Sequence, residues 1–203
     1  PPRAGKGTQS AHLSKVHGIP QISTGDILRK AVADGTVLGK KVQEVIRDGK
    51  LVPDDLIISI IEERISQEDC LGGFLLDGFP RTIEQAVALE EVLHDSVDVT
   101  VYLNVPEEEV IGRLSGRLTC NSCGAVYRKQ EISLCPACAG DLYQRDDDQK
   151  STIEHLIRVY MEHTFSLVDF YRSLCKLAEV DGMGEPEDIY DRIEAQISQV
   201  MSK

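Results

Sequence analysis

An α/β fold built on a parallel sheet is predicted by three features of this chain. Apolar runs of strand length alternate with stretches of helical periodicity, the pattern of βαβ units. One such run, Phe74-Leu75-Leu76, is stopped at once by Asp77-Gly78 and Pro80. It therefore sets a carboxylate at the carboxyl end of a buried strand, where open α/β sheets bind ligands. The third feature is Ala4-Gly5-Lys6-Gly7-Thr8, a glycine-rich loop running into a helix, whose free N–H groups and dipole favour an anion. The 203 residues are enough for one such domain with insertions and a substantial core.

Taken in order, the elements follow from local chemistry. The first helix is expected from Lys6 to Val16, then a short strand at Gln21-Ile22. Ser23 to Val52 reads as two short helices, broken at Asp34-Gly35 and ended at Gly49. Pro53 suits the first turn of the next helix, with Asp54 and Asp55 favourable at its positive end. After the strand that ends at Asp77, Thr82 and Gln85 have capping-box spacing for a helix to Leu93. Val97 to Leu103 is the next strand, and Pro106 opens a helix to Leu114. Residues 116–148 break the rhythm and hold four cysteines. Ile153, Ile157, Tyr160, Thr164, Val168 and Tyr171 recur at helical spacing, predicting one long amphipathic helix from Ser151 to Tyr171. A strand at Leu177–Val180 and a terminal helix complete the chain.

Composition narrows the function. A net charge of −12 argues against nucleic acid as a partner, because backbone phosphates demand clustered Lys and Arg. Aromatic residues make up 5% with no Trp, so platforms for stacking bases are scarce. No apolar run is long enough to span a membrane, and no signal peptide is visible.

Cys120-Asn121-Ser122-Cys123 and Cys135-Pro136-Ala137-Cys138 are two C-x₂-C knuckles, with 11 residues between Cys123 and Cys135. That spacing supplies four thiolates for a tetrahedral metal. Gly124 and Gly140 are expected to give each turn a residue tolerant of positive φ. A rubredoxin-like iron site uses the same ligands, so spacing alone does not separate the metals. Nothing else in the chain suggests electron transfer, and zinc ranks first. So small a segment lacks a core of its own, and a structural metal substitutes for one. Cys70 and Cys175 read as ordinary thiols.

The site chemistry is phosphate chemistry. Lys6 offers a mobile cation for β- and γ-phosphates and Thr8 a hydroxyl near the metal, a partial match to the P-loop pattern. Arg81, four residues after Asp77, is a planar donor suited to a phosphate. With Ser23-Thr24-Gly25-Asp26, Leu75-Leu76-Asp77-Gly78-Phe79-Pro80-Arg81, and arginines flanking residues 116–148, the chain resembles the adenylate kinases over its whole length. Its four cysteines resemble those of the bacterial members that carry a metal-binding lid.

The resemblance implies a P-loop three-layer core with a five-stranded parallel sheet, formed by residues 1–22, 53–115 and 149–203. It also implies a helical NMP-binding insertion at 23–52 and a metal-binding lid at 116–148. The family has an apolar strand before the phosphate loop, so about 6–8 further residues, ending in Gly, are expected ahead of Pro1. The implied reaction is reversible phosphoryl transfer, MgATP and AMP giving two ADP, by a cytoplasmic monomer without nucleic-acid or membrane partners.

The same resemblance assigns ATP phosphates to Arg3, Ala4, Gly5, Lys6, Gly7 and Thr8, and water-bridged Mg²⁺ to Asp77 with Asp26 nearby. AMP falls to Thr24, Arg29, Arg81 and Gln85, with backbone at Lys50, Leu51, Val52 and Gly78 closing the pocket. Gln85 would read the adenine edge, although a capping role for it with Thr82 is equally open. Arg113, Arg117 and Arg145 form a closing phosphate clamp, with Arg145 serving both nucleotides. Val126, Tyr127 and Gly184 contact the ATP base or ribose. Lys6, Asp77, Arg81, Arg117 and Arg145 are the groups expected at the transferred phosphoryl.

Two positions depart from the family. Arg3 stands where the loop has Gly, and Leu156 where the helix after the lid presents an arginine. Both keep open a catalytically weakened nucleotide-binding relative, beside the alternative of a UMP/CMP or GMP kinase.

Overall fold

The computed structural model describes residues 1–2, 4–48, 50–93, 97–114, 117–128, 132–144 and 150–202. In chain order the first half contains α1 (Lys6–His17), β1 (Gln21–Ser23), α2 (Thr24–Ala33), α3 (Val37–Arg47), α4 (Asp54–Ile65), β2 (Leu75–Asp77) and α5 (Ile83–Val92). There follow β3 (Thr100–Asn104), α6 (Glu107–Leu114), β4 (Arg117–Cys120), β5 (Val126–Arg128), β6 (Leu142–Tyr143), α7 (Lys150–Val159), α8 (Ser166–Ser173), β7 (Leu177–Asp181) and α9 (Pro186–Met201).

The α/β class is as the alternating pattern predicts. β1 pairs in parallel with β2, Gln21 beside Leu75 and Ser23 beside Asp77, so both strands end at one edge. β3 pairs in parallel with β7 from Thr100–Leu177 to Asn104–Asp181. Of the five parallel strands expected, one of them ahead of Pro1, the described residues hold four, in two pairs not hydrogen-bonded to each other. The pairs meet through side chains instead. Leu75 of β2 and Val101 of β3 pack on one apolar cluster built around Leu13, Leu103, Val110, Val180, Ile189 and Ile193.

The caps explain where helices start. Ser23 Oγ accepts from Asp26 N–H at 3.3 Å and Thr36 Oγ1 from Gly39 N–H at 3.0 Å, each satisfying a first-turn donor. Thr82 does the same for α5, accepting from Gln85 N–H at 3.1 Å. α2 and α3 form a helical hairpin set on α4 through Leu28, Val42, Ile57 and Ile61, all buried. Its closest approach falls at Gly39, where an added Cβ would lie 2.0 Å from the carbonyl oxygen of Ala31. Because the clash is with backbone, Gly39→Ala is expected to cost about 1–3 kcal/mol of stability. A lower denaturation midpoint checks this; an unchanged midpoint would show that the hairpin opens without cost.

The long helix predicted from Ser151 to Tyr171 is interrupted. Residues Tyr160–Thr164 form a π-helical turn between α7 and α8, with Phe165 N–H donating to Tyr160 O at 2.9 Å. The extra residue lets Leu167, Val168 and Tyr171 stay buried, with Leu167 and Tyr171 clustered around Ala86 of α5. It also lets the Thr164 hydroxyl turn away to Arg81 O, 2.8 Å distant. Helical spacing alone carries no sign of such a bulge.

β4, β5 and β6 form a small antiparallel sheet in the order β5-β4-β6, with Leu118 opposite Tyr127 and Thr119 opposite Tyr143. No strands are predicted there from sequence, because two- to four-residue strands around the knuckles show too little alternation to read. Among the described residues no helix is long and apolar enough to cross a membrane.

Candidate active site and metal cluster

The phosphate loop is shaped by its glycines. Gly5, at φ 93, precedes α1 in the left-handed region that favours glycine, and its carbonyl accepts from the N–H groups of Thr8 and Gln9, both at 3.1 Å. Lys6 Nζ donates to Pro1 O at 2.7 Å, folding the side chain back along the loop. Asp77, at the end of β2, comes to the same place: a Cβ on Gly7 would sit 3.5 Å from Asp77 Oδ2. Gln21 Nε2 donates to that oxygen at 3.2 Å. The strand-exit carboxylate and the loop are thus adjacent, as the two motifs predict. Asp26 lies on the neighbouring α2, ion-paired with Arg29 at 2.6 Å. Arg3 lies outside the described residues.

The loop after β2 is held from several sides. Gly78 O accepts from Thr24 Oγ1 at 3.1 Å and from Arg81 Nε at 2.7 Å. Arg81 N–H donates to Gln85 Oε1 at 2.7 Å, and Arg81 O takes the Thr164 hydroxyl. Above it opens a pocket whose walls include Thr24, Arg29, Arg81 and Gln85, with Lys50, Leu51, Val52 and Gly78 closing it. Every residue predicted for AMP is on this wall except Arg145, which is outside the described residues. Leu156 of α7 lines the same wall, so the departure falls on the pocket itself rather than on a core face.

Of the two readings of Gln85 left open by the sequence, the structure bears on the capping one. Its N–H completes the cap of Thr82, but the reciprocal half of a capping box is absent. The side-chain amide instead binds Arg81 N–H and, through Nε2, Asp54 Oδ1 at 2.6 Å.

A second, larger cleft is lined by the phosphate loop together with Arg113, Val126, Tyr127 and Gly184. Arg113 is oriented by Glu109, 2.7 Å away, and its NH2 donates to Gly182 O at 3.4 Å. Arg117 is placed by backbone alone, on β4 beside Arg128.

Cys120, Cys123, Cys135 and Cys138 converge, their sulfurs all within 4.8 Å of one another. Cys120 and Cys138 sulfurs are 3.5 Å apart and those of Cys123 and Cys135 3.6 Å, far longer than a disulfide. A tetrahedron with metal–sulfur bonds of about 2.3 Å has edges of about 3.8 Å, so the four could hold one metal ion. Tyr127 Oη lies 3.3 Å from Cys135 Sγ; as donor it holds that thiol down to about 6, and the same bond pushes the Tyr127 phenol up to about 12. Cys138 is drawn down by the N–H of Gly140, but the neighbouring Cys123 and Cys120 sulfurs outweigh it and raise the thiol to about 12. Cys135 and Cys138 are thus shifted in opposite directions, and a cation among the sulfurs would favour the thiolate form.

The glycines of the knuckles work differently from expectation in one case. Gly124 has the predicted positive φ of 73, but in the second knuckle Ala139 takes it, at φ 57. Gly140 is needed for room: a Cβ there would sit 2.4 Å from Ser122 Oγ and 3.1 Å from Cys120 Sγ.

Three residues of the site escape a motif reading. Gln21 supports Asp77, and its only signal is a polar side chain at the start of a buried strand. Asp54 reads as a helix-dipole residue, and Thr164 as one more member of an apolar stripe; their partners lie far off in sequence.

Parallel strands that end in a carboxylate beside a glycine loop, with an arginine-lined second pocket alongside, define a P-loop nucleotide phosphotransferase. The family model described as adenylate kinase matches residues 1–176. Relatives named adenylate kinase include one from Archaeoglobus fulgidus, 49% identical over all of this chain and 97% of its own length. Another, from Thermosipho africanus, is 43% identical over 95% of this chain and 94% of its own. One from Caldicellulosiruptor saccharolyticus is 48% identical over 92% and 91%. The chain belongs to the adenylate kinase family.

Proposed function

We propose that this chain catalyses reversible transfer of the terminal phosphoryl group of MgATP to AMP, giving two ADP. The observation that carries the reading is the arginine- and glutamine-lined pocket above Gly78–Arg81, opening beside the phosphate loop. In this reading Ala4 to Thr8 cradle the ATP phosphates, Arg113, Arg117, Val126, Tyr127 and Gly184 hold the rest of ATP, and Thr24, Arg29, Arg81 and Gln85 hold AMP. Residues 23–52 and 116–148 are the two covers, and the remainder is the core.

The transition state of such transfers is loose, so the protein's work is positioning and charge stabilisation. The acceptor phosphate, with a second pKa near about 6, is largely dianionic at neutral pH and needs no general base. Arg81 and Arg29 orient it, and Lys6 follows the group in transit. Asp77, with Gln21 behind it, offers hard oxygen for a water-bridged Mg²⁺, which when bound neutralises charge between the phosphates. Closing the covers excludes water, which would otherwise accept the phosphoryl group. A coupled assay of ADP formation with AMP, UMP, CMP and GMP tests the reading: AMP is expected to dominate, and equal or faster turnover with another acceptor overturns it.

The metal of the lid is assigned to zinc, structural in role, held by Cys120, Cys123, Cys135 and Cys138. Convergent thiols beside a three-stranded sheet of very short strands support this. A reducing compartment, the cytoplasm, suits such thiols. About one equivalent of zinc per chain is expected, with chelation lowering the melting temperature. Elemental analysis finding neither zinc nor iron in protein purified without chelator would refute the assignment.

A further inference from the structure

The side-chain amide of Gln85 stands between two groups that leave it one orientation. Its Nε2 donates to Oδ1 of Asp54 at 2.6 Å and its Oε1 accepts from the N–H of Arg81 at 2.7 Å. A carboxylate only accepts, and a backbone N–H only donates. Turning the amide over would set acceptor against acceptor on one side and donor against donor on the other. The usual ambiguity of amide oxygen and nitrogen is therefore settled by chemistry. Gln85 is 3% exposed, so water is not at hand to repair a reversed amide.

Asp54 is itself held. It is the first residue of α4, and its second oxygen lies 3.4 Å from the hydroxyl of Thr82, the cap of α5. The carboxylate thus bridges the starts of two helices, and the amide it grips lies on the wall of the acceptor pocket.

An amide so engaged keeps one N–H on Nε2 and one lone pair on Oε1. It offers the pocket a donor and an acceptor in a fixed order. The Watson–Crick edge of adenine matches such a pair, with N1 accepting and the 6-amino group donating. Hypoxanthine and guanine carry the reverse order, N1–H donating and O6 accepting, and require the amide turned over. We infer that Asp54 is a specificity-determining positioning residue, which makes the acceptor pocket select a 6-amino purine over 6-oxo purines by fixing the Gln85 amide. The inference rests on the reading of Gln85 as the group facing the base.

The test is the ratio of kcat/KM for AMP to that for IMP in the full chain. Asp54→Asn, whose own amide has a donor to offer, is expected to lower the ratio by about tenfold. Asp54→Glu keeps an acceptor-only group and is expected to retain most of the ratio. Asp55→Asn, on the exposed neighbour, is expected to leave it unchanged. Asp54→Ala is measured in parallel, so that whichever variant melts cooperatively decides the question. A folded Asp54 variant that weakens AMP and IMP equally, leaving the ratio at the parent value, overturns the inference and reduces Asp54 to a structural contact. Gln85→Leu separates the two levels. If it lowers the ratio while Asp54→Asn does not, only the positioning role fails; if it leaves the ratio intact, Gln85 does not read the base and both fall.

Discussion

Arg81→Ala is expected to lower kcat/KM for AMP by about 10³, the scale of an arginine that serves a phosphoryl transition state. The backbone of Arg81 is fixed from two sides, its N–H to Gln85 and its carbonyl to Thr164. Its side chain is aimed by the bond from Nε to Gly78 O. Truncation therefore removes the fork and leaves the loop standing, and the melting temperature is expected to move by only about 2–4 °C. Arg81→Lys should recover little of the loss. A lysine keeps the charge, but its donors share one nitrogen, so it has no separate Nε to anchor on Gly78 while presenting a planar fork to the phosphate. Steady-state kinetics with varied AMP and saturating MgATP measure this. A decrease of less than fivefold in Arg81→Ala would remove Arg81 from the site.

Leu156→Arg is expected to work in the opposite direction. Leu156 lines the same pocket as Arg29 and Arg81, an aliphatic residue where the resemblance expects an arginine. A charge-assisted hydrogen bond to phosphate contributes about 1.5–3 kcal/mol, or about tenfold to 150-fold if felt only in the transition state. The expected result is a rise in kcat of that order, with nucleotide dissociation constants changed much less. Arg3 carries a charge in the phosphate loop, so Arg3→Gly belongs in the same background as a double-mutant cycle. Turnover of the parent already matching Leu156→Arg would show that this wall needs no further cation.

The parts of the site legible in sequence are those whose chemistry is local. Leu75 to Arg81 holds its own strand, stop, carboxylate and arginine, and the cysteine knuckles contain their own turns. Those features need no knowledge of what folds against them. The illegible parts are partnerships across the chain: Gln21 with Asp77, Asp54 with Gln85, Thr164 with the carbonyl of Arg81. Each is a polar residue whose type is common at its position for a humbler reason. The π-helical turn was hidden similarly, because Tyr160, Thr164 and Val168 keep helical spacing while the backbone between them gains a residue.

The short reach of the lid's strand pairing has a consequence for how the chain folds. Leu118 finds Tyr127 across a short loop, and Thr119 finds Tyr143 within the same small segment. β1 must find β2 across the whole of α2, α3 and α4, and β3 must find β7 across the entire lid. Loop-closure entropy grows with separation, so the lid's ladder is the cheaper one to close and the long parallel pairings govern the folding rate. The lid also lies inside the β3–β7 crossover. Ordering it early shortens the effective loop those strands have to close, so a cation bound by the four thiols would speed the pairing of two strands it never touches.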